Sequence, residues 1–355
     1  MRTSFGEKAT EWAVVGFLWG FRILIIAVVI LGTIGSLRAD KYSQEAWVNF
    51  VVLGIAQGSI YALIALGYTM VYGILRMINF AHGEIFMCGA FGAYFLAERM
   101  SETGFLNEHT VVALLALILL AMSISTVVAL LVERVAYRPL RAAPRLVPLI
   151  SAIGASFFLQ YTARGFFGSN RYSYPSVEAL EGSWDLLGFS ILKTHAIVIV
   201  AALVMMAILY VLVMRTKIGK AMRAVSEDKD VAALMGIDVN RIIVSTFGIG
   251  AAMAGAAGLL FALAYRQVYF LMGFIPGIKA FTCAVLGGIG NIPGAMLGGL
   301  LLGVTESVGP ALFLEGIGIP RPYQLHDVIA FTMLVMVLLF RPSGLLGERI
   351  TAKKA

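Results

Sequence analysis

The chain has 355 residues, of which 60% are hydrophobic and 13% charged, with a mean hydropathy of +0.89. Soluble domains carry about 25% charged residues, and no soluble core of this size hides so much apolar side chain, which argues against a water-soluble globular protein. The formal net charge is +7; in a soluble protein it would suggest nucleic acid, but here Lys and Arg cluster between apolar runs as they do in cytoplasmic loops, and no nucleic-acid partner is expected.

A membrane helix needs about 20 mostly apolar residues to cross about 30 Å of hydrocarbon. Apolar runs lie at Trp12–Gly35, Ala46–Leu75, Ala81–Ala97, Val111–Val132, Leu146–Gly165, His195–Met214 and Ile242–Tyr265, and none alternates as a barrel strand would. A glycine-rich region, Phe274–Val308, is broken at "GGIGNIPG", and a last span covers His326–Phe340. Asn291 and Pro293 interrupt the glycine-rich helix, and halves of about 15 residues reach about 22 Å. The expected fold class is all-α: a polytopic transmembrane helical bundle of about 8–10 membrane segments, its glycine-rich pair broken or re-entrant. Lys279 and Glu306 are expected to snorkel to the outer surface.

Ile23–Gly35 has the flanking Arg and apolar core of a signal peptide. The apolar run reaches back to Trp12, however, and no small-x-small site follows before "SLRADKY", so a retained first helix is expected. With the basic loop "ERVAYRPLRAAPR" facing the cytoplasm, alternation of the spans puts 17 Lys and Arg inside and nine outside. That bias predicts cytoplasmic N- and C-termini. One membrane domain over residues 1–355 is expected: an N-terminal extension with the first helix (1–45), a core (46–349) and within it a cytoplasmic loop (215–241).

Two cysteines, Cys88 and Cys283, fall in apolar stretches, so no disulfide framework is indicated. The four histidines are far apart, without metal-ligand spacing, and no nucleophile–base pair suggests an enzyme. No G-x-x-x-x-G-K-[ST] phosphate loop is present, so ATP, if used, is bound by another chain.

"RMINFAHGEIFMCGAFGAYF", from Arg76, puts Asn79, His82 and Glu84 inside an apolar sequence. Helix-start chemistry accounts for part of this: Asn79 is a good N-cap, and Glu84 in the first turn meets the positive end of the dipole. It accounts less well for His82, and an ionisable residue at membrane depth is a functional candidate by default. The expectation is a broken-helix junction at or just inside the cytoplasmic mouth that borders a solute route through Asn79, His82, Gly83 and Glu84. Gly83 would let another helix or a solute pass close, and Gln57 would be a polar companion on a neighbouring helix. In the loop Arg215–Arg241, the residues Ala221, Val225, Asp228, Ala232 and Met235 fall near one helical stripe, Ala224 and Ala232 leave room for close approach, and Gly236 is placed to end the helix. Such a helix suits insertion into a cleft of a partner, or forms a solvated turn.

Three stretches in order, "YALIALGYTMVYGILRMINFAHGEIFMCGA" from Tyr61, "AMRAVSEDKDVAALMGIDVNR" from Ala221 and "GIKAFTCAVLGGIGNIPGAMLGGLLLGVTES" from Gly277, resemble the inner-membrane permease subunits of ATP-binding-cassette importers for branched-chain amino acids. The resemblance runs from about Ala46 to Gly347 and implies a bacterial inner-membrane protein with no catalytic residues. It implies a second related permease, two ATP-binding cassette subunits that hold ATP and Mg, and a periplasmic solute-binding protein, with no cofactor or metal in this chain itself. It also implies ATPase docking through Ala224, Glu227, Asp228, Ala232 and Gly236. Leucine, isoleucine and valine are the expected solutes, with urea or short-chain amides as the alternative. An ion-coupled secondary transporter, reading Glu84 and Glu306 as its buried acids, and a passive channel for urea-like solutes are the readings from other classes.

Overall fold

The computed structural model describes residues 5–141, 143–144, 146–186 and 188–347. The chain runs through α1 (Phe5–Ala39), α2 (Gln44–Leu75), α3 (His82–Glu102), the single turn α4 (Phe105–Glu108), α5 (Thr110–Val132), α6 (Leu146–Phe167), α7 (Lys193–Arg215), α8 (Lys217–Glu227), α9 (Lys229–Leu234), α10 (Val239–Tyr265), α11 (Phe274–Gly287), α12 (Ile292–Gly309) and α13 (His326–Phe340). Two small antiparallel ribbons are added: β1 (Tyr172–Ser173) with β4 (Gln267–Val268), and β2 (Ser183–Leu186) with β3 (Phe189–Leu192). Among the described residues, eight helices are long and apolar enough to cross a membrane. They include α5 continued through a π-helical turn, Glu133–Tyr137, to Leu140, and α12 continued to Ile317. The protein is thus a polytopic helical bundle, as its hydropathy predicts.

Helices α2 and α10 carry the most buried apolar windows and form the centre. Helix α12 runs antiparallel along α2, with Gly54, Gly58 and Ala62 against Gly303 and Gly299. A Cβ at Gly58 or Gly303 would collide with the facing backbone. Small residues suit this seam because, in lipid, helices associate by close packing rather than by escape from water. Helix α1 docks near its C-terminal end, where Ser36 donates to the carbonyl of Ala311 at 2.9 Å; Trp12, Phe17 and Trp19 are exposed.

The bundle has two chemically different ends. At the basic end, Arg76 donates to the carbonyl of Ser226 at 3.1 Å, and Arg141 donates to Asn240 at 2.7 Å. The buried Glu133 pairs there with Arg138 at 3.0 Å and with Arg141. The turn between α11 and α12 reaches this end too, with Asn291 donating to the carbonyl of Leu346 at 2.8 Å. The tail residues Arg349, Lys353 and Lys354, counted in the charge bias, lie outside the described residues. The opposite end carries the ribbons, the Arg266–Glu181 pair and the Lys41–Glu315 pair.

Of the glycine-rich pair, α12 with its continuation is long enough to span, whereas α11 has 14 residues, about 21 Å at 1.5 Å per residue. The break falls at Gly288–Asn291, and Asn291 caps α12 by accepting from the N–H of Gly294 at 2.9 Å. Lys279 departs from expectation. It is buried, bonded to Glu306 and, at 2.5 Å, to Asp327, because α12 and the start of α13 bring two carboxylates to it. A lysine with partners inside the protein has no reason to snorkel.

Candidate functional site

Helix α2 ends at Leu75, where Arg76 adopts φ 55° and turns the chain. The next residues re-enter the bundle. His82 lies against Gly67 and packs edge-on against Tyr68, ring centroids 4.9 Å apart. Gly67 is eight residues back from Leu75 along α2, about 12 Å. The junction therefore sits about two helical turns inside the bundle. The physical reason is the non-helical segment of bends and turns from Arg76 to Ala81, which carries the chain inward before α3 starts.

Asn79 does not cap α3. Ala81 occupies that position without a side-chain bond, and Asn79 instead accepts from the hydroxyl of Tyr137 at 2.5 Å. Gly83 does permit a close approach, by a helix: a Cβ there would strike the carbonyl of Gly273, and one at Gly273 the carbonyl of Gly83. The starts of α3 and α11 thus cross backbone to backbone. Glu84 stands in the first turn of α3, as expected. Its Oε1 accepts from the Gln160 amide at 2.6 Å and the Ser156 hydroxyl at 3.4 Å, both on α6, and its Oε2 has no hydrogen-bond partner.

Glu84 and Ser156 line a cleft of 240 Å³, whereas Asn79, His82 and Gly83 do not. Tyr68, Glu84 and Ser156 give it a polar floor, and Phe80, Ile153, Phe157 and Ile278 give it apolar walls, with Phe274 also contributing. Gln57 is not part of it. Its amide donates to Tyr61 at 2.8 Å, and the Tyr61 hydroxyl lies 3.5 Å from Nζ of Lys279. Gln57 therefore belongs with a second buried cluster of Tyr61, Lys279, Glu306 and Asp327. Glu306, His326 and Asp327 bring ligand atoms close enough for a metal ion, but the Lys279 ammonium stands between the two carboxylates, where a cation would sit.

Sequence reasoning missed Gln160, Ser156, Tyr68 and Tyr137. A signal for the first two exists: Pro148, Ala152, Ser156, Gln160 and Ala163 form the buried face of α6, a stripe of small and polar residues at helical spacing in an otherwise apolar span.

The loop at the basic end forms two helices, α8 and α9, not one. The break is at Asp228, whose side chain caps α9 by accepting from the N–H groups of Asp230 and Val231 at 2.9 and 3.0 Å. Gly236 ends α9 at φ 83°, as expected from its position. The stripe is only partly outward. Val225 and Ala232 are buried and Ala224 half-buried, whereas Glu227, Asp228 and Gly236 are exposed. The apolar side chains that α9 presents outward are Val231, Leu234 and Met235, the last two 87% and 79% exposed.

Residues 50–338 match the family model described as the branched-chain amino acid transport system permease component, and α1 precedes the match. The chain is 43% identical over 301 residues to the high-affinity branched-chain amino acid transport system permease protein BraD of Pseudomonas aeruginosa, covering 84% of this chain and 95% of BraD. It is 42% identical over 300 residues to the permease protein LivH of the corresponding system of Escherichia coli, covering 83% and 94%. LivM of Escherichia coli, also named a high-affinity branched-chain amino acid permease, is 29% identical over 181 residues, 47% of this chain and 40% of LivM. With the bundle and the motif order, these matches make the chain a multi-pass membrane protein that belongs to the family of branched-chain amino acid transport system permease components.

Proposed function

We propose that this chain is the translocating permease subunit of a binding-protein-dependent importer that carries leucine, isoleucine and valine across a bacterial inner membrane, driven by ATP hydrolysis on partner subunits. The observation that carries the reading is the 43% identity to BraD over 95% of that permease's length. The similarity to both LivH and LivM supports a pathway formed by two related permeases. Two ATP-binding cassette subunits, holding ATP and Mg, complete the machine with a periplasmic solute-binding protein. This chain contributes no catalytic residue and holds no cofactor or metal, and it forms one permease domain whose termini, with the basic end of the bundle, face the cytoplasm.

The basic end docks the ATPases through α8 and α9. Leu234 and Met235, apolar and exposed beside charged residues, support this, since exposed apolar patches rimmed by polar residues mark interaction sites. Glu227, Asp228 and Gly236 surround them. The solute passes the junction of His82, Gly83 and Glu84, with Asn79 holding the break and Gln57 farther along α2.

Co-expression with the partner subunits tests the proposal. The purified complex is expected to contain the ATPases and a second permease and, in proteoliposomes with its binding protein, to take up leucine only with ATP. Leu234→Ser with Met235→Ser should lower ATPase recovery ten-fold or more without changing the thermal unfolding of the permease. A chain that purifies without ATPases, or transports leucine under an ion gradient alone, overturns the reading.

A further inference from the structure

Glu84 is an acceptor with an open site. It is 1% exposed, Oε1 is occupied by Gln160 and Ser156, and Oε2 is unpaired. Among the described residues no cation forms an ion pair with it, and the ring of His82 packs on Gly67 and Tyr68. A lone buried carboxylate is costly unless fixed dipoles or a counter-charge compensate it. Here the dipoles are local. Glu84 is in the first turn of α3, and Oε2 lies beside Gly273, the residue that starts α11. The positive ends of two helices therefore meet on this carboxylate. Neither helix start gives Oε2 a hydrogen-bond donor.

Glu84 lines the cleft together with the apolar side chains of Phe80, Ile153, Phe157 and Ile278. The charge and the walls match the two ends of one kind of molecule. Resting on the reading of the chain as an amino-acid permease, the geometry points to this cleft as a binding site for a zwitterionic amino acid, with its ammonium on Oε2 of Glu84 and its apolar side chain against those walls. An ammonium group brings both the donor that Oε2 lacks and the opposite charge, in a charge-assisted hydrogen bond. A carboxylic acid of the same shape without the amine brings neither, and it adds a second negative charge beside Glu84.

The test uses the complete complex with Cys88→Ser, Cys283→Ser and Phe274→Cys, which sets one thiol at the edge of the cleft. It is reacted with an ethylammonium thiosulfonate and an ethylsulfonate thiosulfonate, each rate normalised to a free thiol. The cationic reagent should react roughly five-fold faster or more, as a local negative potential requires. Leucine should slow the reaction and 4-methylpentanoate, leucine without its amine, should not. Adding Glu84→Gln should abolish both the charge preference and the protection. Equal normalised rates for the two reagents overturn the inference, as does equal protection by leucine and its deaminated analogue; neither comparison depends on the folding of the Glu84 variant. Leucine uptake by the parent complex is measured beside them. Absent uptake with an intact charge preference and leucine protection rejects the importer reading and keeps the site, whereas normal uptake with equal rates rejects the site and keeps the importer.

Discussion

The hydroxyl of Tyr137, in the π-helical turn after α5, donates to Oδ1 of Asn79, in the break between α2 and α3, at 2.5 Å, and both side chains are buried. Turns of this kind insert a residue into a helix and re-aim the side chains beyond it, often at functional sites. Here the turn begins at Glu133, which Arg138 and Arg141 hold from the basic end. The ion pairs of Glu133 and the bond from Tyr137 to Asn79 thus start from one turn, which joins the basic end of the bundle to the break before α3.

Removing the Tyr137 hydroxyl leaves Oδ1 of Asn79 buried and unpaired. Tyr137→Phe should cost about 1–3 kcal/mol, the penalty for an unsatisfied buried acceptor. Asn79→Leu together with Tyr137→Phe should cost less than the sum of the two single changes, since they remove one interaction. Denaturant unfolding of all three variants in detergent measures the coupling, and additive losses would mean that the bond contributes little.

The Lys279–Glu306 pair is buried, and single and double changes should differ sharply. Lys279→Met leaves the Glu306 carboxylate uncompensated and should destabilise by about 3–5 kcal/mol. Lys279→Met with Glu306→Met should recover much of that loss, because the fully buried carboxylate is removed with its partner and only the half-exposed Asp327, which keeps His326 beside it, is left. Thermal unfolding and the yield of the purified chain report both, and equal losses for the single and double variants would contradict the pairing.

Side assignment is open to labelling from outside the cell. Asp230 and Ser176 are both exposed, at opposite ends of the bundle. In a cysteine-free background, Ser176→Cys should react with an impermeant thiol reagent in intact cells and Asp230→Cys only after the cells are broken. Labelling of Asp230→Cys from outside would invert the orientation and remove the ATPase-docking assignment.

Lys229, at the start of α9, is held below the usual lysine range by burial and by the nearby charges of Arg141 and Arg76. The folded protein binds this proton less tightly than the unfolded chain does. The resulting cost is fully present at neutral pH and fades as the pH rises through the folded-state value toward the usual value of about 10.4. Lys229→Met should therefore raise the unfolding temperature at pH 7 and lose that advantage at alkaline pH. Unfolding curves at several pH values check the sign; an advantage that grows with pH would contradict it.

The helices are legible in the sequence because the membrane simplifies the rule. A span must be apolar over about 20 residues whatever it packs against, so α2, α5, α6, α7 and α10 begin and end within a few residues of their apolar runs. The special backbone at Gly236 and the helix break at Asn291 and Pro293 are legible for a similar reason: positive φ and helix interruption are local, set by one residue and its immediate neighbours. The effect of neighbours on a polar side chain is not legible. By sequence Asn79 reads as a cap, Lys279 as a snorkelling lysine and Gln57 as a companion of His82. Each assignment fails because the partner, Tyr137, Glu306 or Tyr61, reaches its position through the packing of helices rather than through the side-chain type and its place along the chain. Glu84 shows both limits at once. Its place in a first turn is written in "NFAHGE". Its open oxygen beside Gly273, with Gln160 and Ser156 on the other side, exists only because α6 and α11 pack there, and hydropathy carries no information about which apolar helices become neighbours.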